Sequence, residues 1–143
     1  MNSPLVLRYK VLGNDFSSAG QASSNVKKTL KQLGFAPDII RKIAIALYEG
    51  EINMVIHANG GDVDAEIYAD KVMLTLKDSG PGIPDIDLAM SCGYSTASEY
   101  VRSMGFGAGM GLPNMQESAD SIEVESLVGV GTTVKMTILN PGG

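Results

Sequence analysis

Two glycine-rich runs, KDSGPGIPD at residues 77–85 and GFGAGMG at residues 105–111, constrain the fold of this chain more than any other feature. The first follows a β-patterned stretch and places Asp78 before two glycines; the second has glycine at every other position. Glycine is required where the backbone turns through positive φ or approaches a ligand too closely for a Cβ. The N–H groups of such loops can bind phosphate oxygens, and a neighbouring aspartate can accept a hydrogen bond from an exocyclic amine. Together the runs predict a site for a purine nucleotide.

Length and composition predict one globular domain spanning residues 1–143. Hydrophobic residues make up 44% of the chain and charged residues 19%, which is typical of a folded protein. No apolar run approaches the roughly 18 residues that a membrane span needs, and no secretory signal is recognisable. A single cysteine, Cys92, excludes an internal disulfide, and the net charge of −5 argues against general binding of nucleic acid. We expect a cytoplasmic protein with no direct nucleic-acid or membrane partner.

The order of apolar patterns predicts an α+β fold. Periodicity and turn signals predict strands at residues 5–11, 64–69, 72–77, 121–127 and 132–139, and helices at residues 17–33, 37–57 and 112–119. Asn-Gly-Gly at residues 59–61 predicts a turn, and residues 84–111 predict a mobile loop. Strands clustered in hairpins, with helices between them, favour a two-layer sandwich with a mixed or antiparallel sheet covered on one face.

Glu49 and Asn53 lie four residues apart on the second predicted helix, and therefore on one face. A carboxylate and a carboxamide so spaced suit a Mg²⁺–nucleotide site, with Asn53 as an oxygen ligand and Glu49 orienting or deprotonating a hydroxyl. Gly50 between them would let a phosphate loop lie against the helix. The alternative is that Glu49 and Asn53 simply face solvent, and we expect Glu51 to be a solvated surface charge.

Other chemical motifs are weaker. His57, the only histidine, is interpreted as a capping or packing residue, and Cys92 as a small buried residue. No Gly-x4-Gly-Lys-Ser/Thr motif is present, so the chain is not a P-loop protein. The glycines of residues 105–111 follow a loop and not a strand, which disfavours a dinucleotide-binding fold.

Four motifs in order resemble the conserved boxes of the GHKL ATPases, the family of gyrase, the heat-shock chaperone, histidine kinases and MutL. They are EGEINMVIHA at residues 49–58, DSGPGI at residues 78–83, GFGAGMGL at residues 105–112 and GVGTTV at residues 129–134. The resemblance covers residues 40–139 and implies the two-layer Bergerat fold, with a mostly antiparallel sheet and helices on one face. GYST at residues 93–96 and GLPNM at residues 111–115 are similar to the anti-sigma-factor serine kinases (the SpoIIAB, RsbW and RsbT group), and most to the RsbT branch.

The resemblance implies a role for each matching residue. It implies that Glu49 is the general base, that Asn53 holds Mg²⁺, and that Asp78 contacts the adenine amine of ATP with help from the Thr132 hydroxyl. The remaining implied nucleotide contacts come from the glycine boxes and the lid between them: Gly80, Gly82, Ile83, Arg102, Gly105, Gly107, Gly109, Met110, Gly111 and Leu112. The register of this lid departs from the family pattern at the additional glycines Gly105 and Gly107, which leaves the position of Arg102 relative to the glycines open.

Two functions remain open within that family. One is an ATP-dependent serine/threonine kinase that phosphorylates a STAS-domain antagonist of an anti-sigma factor. The other is a nucleotide-gated module that binds a sigma factor or a phosphatase without significant kinase activity. A histidine kinase would need a helical dimerisation domain, for which 143 residues leave no room. The strand at residues 5–11 could also form a homodimer by edge pairing.

Overall fold

A computed structural model describes residues 4–12, 20–57, 60–80 and 111–141 of the chain. Its elements, in chain order, are β1 (Leu5–Leu12), α1 (Gln21–Gln32), α2 (Pro37–His57), β2 (Gly60–Ile67), β3 (Lys71–Asp78), α3 (Gly111–Ser118), β4 (Ser121–Leu127) and β5 (Gly131–Leu139). The predicted second helix, the two hairpins, the first strand and the third helix are confirmed, most of them with ends shifted by a residue or so. The loop predicted at residues 84–111 lies almost wholly outside the described residues.

The five described strands form one antiparallel sheet with the order β1-β2-β3-β5-β4. Leu7 lies opposite Ala65, and Leu74 lies opposite Met136, so residues of like polarity share a row across the sheet. The sequence predicted a mixed or an antiparallel sheet, and the described sheet is antiparallel. Within this sheet β1 and β4 occupy the two edges; pairing of β1 with a second copy stays a prediction.

The core lies between one face of the sheet and the helices. Alternate residues of each central strand face it, and Val63, Leu74 and Ile138 are 0% exposed. Val26 and Leu30 of α1, with Ile43 and Leu47 of α2, join them in one cluster. Full burial of such a side chain stabilises the fold by about 1.5–3 kcal/mol. The predicted two-layer sandwich with helices on one face is confirmed.

The opposite face of the sheet is polar. Arg8 lies 3.7 Å from Asp64, and Lys10 lies 3.9 Å from Asp62, in pairs that join β1 to β2. Three of the four side chains are largely exposed and that of Asp64 is 43% exposed, so each pair contributes at most about 1 kcal/mol.

The start of the first helix was predicted wrongly. The predicted helix began at residue 17, whereas α1 begins at Gln21. Gly20 has a φ of 96°, a left-handed conformation that no α-helix contains. Residues 17–19 lie outside the described part of the chain. Apolar spacing placed the start of the helix too early, because it carries no information on the backbone conformation of a single residue such as Gly20.

The turn predicted at residues 59–61 is also wrong at its two glycines. Gly60 and Gly61 are the first residues of β2, opposite Leu12 and Val11 of β1. A Cβ on Gly61 would lie 2.3 Å from the carbonyl oxygen of Lys77. Gly61 is therefore required by the close approach of β3 and not by a turn.

Among the helices that the structure describes, none has the length and apolar character needed to cross a membrane.

Candidate functional site

Asp78 ends β3 and is held by backbone groups of two other segments. Its Oδ1 accepts hydrogen bonds from the N–H of Gly80 at 2.9 Å and from the N–H of Thr132 at 3.2 Å. The first bond closes a tight turn after the strand, and the second reaches the start of β5, the neighbouring strand. Two N–H donors on one oxygen fix the orientation of the carboxylate group.

Two glycines lie against the backbone around Asp78. A Cβ on Gly131 would lie 2.1 Å from the Asp78 carbonyl oxygen, and Gly131 itself has a φ of 150°. On the other side, a Cβ on Gly61 would lie 3.0 Å from the Asp78 Cα. No other residue type allows both neighbouring strands to approach Asp78 this closely. The glycines therefore set the position of the carboxylate.

The Thr132 side chain continues the same cluster. Its hydroxyl lies 2.8 Å from the Ser126 hydroxyl, which also bonds to the Gly131 carbonyl at 3.2 Å. Thr132 is 9% exposed, so it lies at the edge of the core, and its backbone N–H is bonded to the Asp78 carboxylate. The structure thus brings together Asp78, Gly80 and Thr132, three of the residues predicted to contact the nucleotide.

Glu49 lies on α2 and is half-buried. The Nδ2 of Asn114, on α3, donates a hydrogen bond to its Oε1 at 3.3 Å. Burial raises the pKa of the Glu49 carboxyl, while the bond from Asn114 acts in the opposite direction. Asn53, one helical turn further along α2, is partly exposed. A carboxylate with this environment can take up a proton more readily than one in water.

Asn114 had not been predicted as a site residue. It lies within the GLPNM run that carried part of the resemblance, but nothing in its local spacing points to Glu49, 65 residues earlier. The side chain could have been found only by knowing that α3 packs beside α2.

Gly50 has a different role from the one predicted. A Cβ at this position would lie 2.2 Å from Cδ2 of Leu76 and 3.6 Å from the sulfur of Met115. Gly50 therefore lets α2 pack against β3 and α3, on the core side of the helix. It does not offer a surface for a phosphate loop.

Glu51 was predicted to be a solvated surface charge, and this prediction is wrong. Its side chain is buried, with 1% of the residue exposed. Its carboxylate accepts hydrogen bonds from the backbone N–H groups of Gly20, Ala22 and Ser23 at 3.0, 3.2 and 2.8 Å. These are donors at the start of α1, which would otherwise be unsatisfied. Burial raises the pKa of Glu51, and the three N–H groups oppose that shift.

Several predicted residues lie outside the described part of the chain: Gly82, Ile83, Arg102, Gly105, Gly107, Gly109 and Met110. Gly111 and Leu112 form the first turn of α3. His57 is the last residue of α2, and Cys92 is among the residues not described. Within the described ranges, no group of three or more His, Cys, Asp or Glu residues could hold a metal ion.

A family model described as "Histidine kinase-, DNA gyrase B-, and HSP90-like ATPase" matches residues 38–141. The serine/threonine-protein kinase RsbT of Bacillus subtilis is 34% identical over 125 residues, which cover 85% of this chain and 86% of the relative. The anti-sigma F factor of Caldanaerobacter subterraneus is 37% identical over 103 residues, 68% of each chain.

The fold has a counterpart among solved structures. The RsbU and RsbW domains of Rv1364c from Mycobacterium tuberculosis align with a TM-score of 0.64 at 17% identity, over 94% of this chain. The alignment covers 32% of that longer chain, so this chain spans about a third of it. At this identity the likeness establishes the fold alone.

Proposed function

The chain belongs to the family of histidine kinase-, DNA gyrase B- and HSP90-like ATPases, and from this premise we propose that it is an ATP-dependent protein serine/threonine kinase of a partner-switching system. Its substrate would be a serine of a STAS-type antagonist protein, and its phosphorylation would regulate a sigma factor. The similarity to a serine/threonine kinase over 85% of the chain supports this reading.

The observation that carries the proposal is the environment of Glu49. In the described part of the chain its hydrogen-bond partner is the neutral carboxamide of Asn114, and no Lys or Arg side chain is paired with it. Its pKa is raised by burial, so it is suited to accept the proton of an incoming hydroxyl. A carboxylate held by a cation would be a weaker base.

The geometry of Asp78 supports the proposed binding of ATP. Its Oδ1 is occupied by the N–H groups of Gly80 and Thr132, which leaves Oδ2 to accept a hydrogen bond from an adenine amine. The Thr132 hydroxyl lies in the same cluster and can help to orient the base. Gly111 begins α3, whose N-terminal N–H groups favour a phosphate. The residues at 82–110 named above would complete the binding of the nucleotide.

Asn53 is the residue that would hold Mg²⁺. Its carboxamide offers one neutral oxygen, which fits an ion that keeps several waters and takes its other ligands from phosphates. Asn53 is partly exposed on the Glu49 face of α2, so an ion beside it would be close to solvent. When bound, Mg²⁺ neutralises phosphate charge; the roles of this chain are to position the nucleotide and to move the hydroxyl proton to Glu49.

A second function is kept because several relatives are named anti-sigma F factors. In it the chain is a nucleotide-gated module that sequesters a sigma factor or activates a phosphatase, without significant kinase activity. Both functions imply a cytoplasmic protein that exchanges partners.

The two functions are separated by phosphotransfer. The purified protein is incubated with γ-labelled ATP, Mg²⁺ and a STAS-domain antagonist from the same genome, beside Glu49→Gln and the control Glu117→Gln on the exposed surface of α3. Label on a serine of the antagonist, lost in Glu49→Gln and kept in the control, supports the kinase. Binding of ATP without transfer of label supports the binding module, and no binding of ATP contradicts both.

A further inference from the structure

Basic residues are concentrated on the first two helices. Residues 21–48 contain five of the eleven Lys and Arg residues but only one of the sixteen Asp and Glu residues, in a chain whose net charge is −5. The remainder of the chain is therefore strongly acidic. Such a separation of charge makes this surface attractive to an anionic partner that the rest of the molecule repels.

A groove lies between α1 and α2, here called the α1–α2 groove. It encloses about 850 Å³ and is lined by one face of each helix. Lys27 and Lys31 line it from α1, and Arg41 lines it from α2. All three side chains are exposed. The cations therefore stand on both sides of the groove.

The floor of the α1–α2 groove is apolar. Ile45 and Tyr48 line it, and each is 40% exposed, although neighbouring positions of α2 are buried in the core. The Tyr48 ring closes over Gly20, where an added Cβ would lie 3.1 Å from the ring. An apolar floor between cations suits a segment with both apolar and acidic side chains.

One end of the groove is Glu49, which is itself a lining residue. Arg41 and Glu49 are eight residues apart on α2, which corresponds to about 12 Å along the helix axis. A segment lying along Ile45 and Tyr48 would thus have one end at the proposed general base. The groove is continuous with the site of chemistry.

We propose that the α1–α2 groove docks an acidic, partly apolar segment of the substrate protein and delivers its acceptor hydroxyl to Glu49. The delivery of the hydroxyl rests on the proposed kinase function, whereas the docking does not. Lys27, Lys31 and Arg41 attract carboxylates that flank apolar residues on the segment, and Ile45 and Tyr48 receive those apolar residues. Complementary charge of this kind raises the rate of encounter and selects the partner.

The test compares two pairs of charge reversals. Lys27→Glu/Arg41→Glu removes one cation from each side of the groove. The control Lys28→Glu/Lys42→Glu changes the adjacent residues, one on each helix, which are exposed but do not line the groove. Both variants carry the same net charge, so general electrostatic effects are equal. Thermal unfolding verifies that both are folded.

The measured quantities are the Kd of a fluorescently labelled STAS-domain antagonist and the KM and kcat of its phosphorylation. We expect the groove variant to raise Kd and KM at least about tenfold and the control to change them less than about threefold, since interfacial charge contacts commonly contribute this much. The Kd for ATP should be unchanged in both. Equal effects of the two variants, or no binding of the antagonist by the wild type, would overturn the proposal.

The two levels of the proposal fail separately. If the antagonist binds through the groove but no label is transferred, the docking surface stands and the kinase function fails. If label is transferred with the same KM in both variants, the kinase stands and the groove proposal fails. Phosphatidylglycerol vesicles and duplex DNA are tested as other anionic partners. The groove proposal would also be overturned if the wild type binds either of them and the groove variant does not, while the groove variant still binds the antagonist.

Discussion

The N–H of Ser23 donates a hydrogen bond of 2.8 Å to the Oε1 of Glu51, a residue 28 positions later in the chain. Gly20, at the N-terminus of α1, has no side chain that could cap the helix. Glu51 of α2 therefore caps α1, and its buried carboxylate lies at the N-terminus of α1, which is the positive end of the helix dipole. This bond fixes the start of α1 relative to α2, and with it the shape of the α1–α2 groove.

Glu51→Ala should destabilise the protein by about 2–4 kcal/mol, because it leaves the buried N–H groups of Ala22 and Ser23 without an acceptor. Urea denaturation followed by circular dichroism measures the change in the free energy of unfolding. Glu117→Ala, an exposed glutamate on α3, is the control and should change it by less than about 0.5 kcal/mol. Equal stability of the two variants would show that Glu51 is not the cap.

The role of Glu51 could not have been predicted from its neighbours. The run Glu49-Gly50-Glu51 is polar, and a carboxylate is rarely buried without a partner. The partners are backbone N–H groups around 30 residues earlier, so they leave no signature near Glu51.

Local signals did predict the elements that hold the site. The apolar periodicity of residues 37–57 predicted α2, and the alternation of residues 72–77 predicted β3 and therefore the position of Asp78 at its end. The beginning of β2 was missed because Gly60 and Gly61 look like a turn, although β1 and β3 pair with them. The start of β2 is set by its pairing with β1 and β3, and the local sequence around Gly60 and Gly61 does not contain that information.

Gly131→Ala should weaken ATP binding at least about tenfold if Asp78 contacts the adenine. The added Cβ would lie 2.1 Å from the Asp78 carbonyl oxygen, which is backbone and cannot move without displacing the carboxylate. A misplaced hydrogen bond to a charged acceptor costs about 1.5–3 kcal/mol. Isothermal titration calorimetry with ATP measures the Kd.

Gly129→Ala is the matched control for that substitution. Gly129 has a φ of 82° in the same turn, so alanine there is also strained, but nothing lies within 4 Å of its Cβ position. Both variants should lose stability, and only Gly131→Ala should lose ATP affinity. Equal Kd values in the two variants would contradict the positioning of Asp78 by Gly131.

Gly50→Ala should destabilise the protein by up to about 2 kcal/mol, because the cost of overpacking exceeds the gain in helix propensity. Alanine favours a helix by about 1 kcal/mol over glycine, but overpacking of a core costs about 1–3 kcal/mol. The added Cβ would lie 2.2 Å from Cδ2 of Leu76, which is 3% exposed and cannot swing into solvent. The free energy of unfolding in urea is the measurement.

A double-mutant cycle with Leu76→Ala identifies the contact behind the Gly50 effect. Leu76→Ala removes the Cδ2 atom, so Gly50→Ala in that background should be neutral or stabilising. The coupling free energy should therefore be at least about 1 kcal/mol. Additive effects would mean that the clash between the two side chains is not the cause.

Asn114→Ala should shift the acid limb of phosphotransfer to higher pH. The bond from Asn114 lowers the pKa of Glu49, which burial raises, so its removal should raise that pKa further. A general base acts only when it is deprotonated, so kcat/KM should fall at low pH and recover at high pH. The measurement is the kcat/KM profile between about pH 5 and about pH 8, with Gln116→Ala, an exposed position of α3, as the control.

The same shift predicts how stability depends on pH. Because the pKa of Glu49 is raised in the folded state, its contribution to stability is present below the usual pKa of a glutamate and is lost as pH rises through the folded value. Glu49→Gln removes this dependence, so the variant should gain stability relative to the wild type as the pH is raised. A displaced pH-rate profile in Asn114→Ala, together with this gain in Glu49→Gln, would identify the Glu49 carboxylate as the general base. If the profile of Asn114→Ala equals that of Gln116→Ala, Asn114 does not influence the pKa of Glu49.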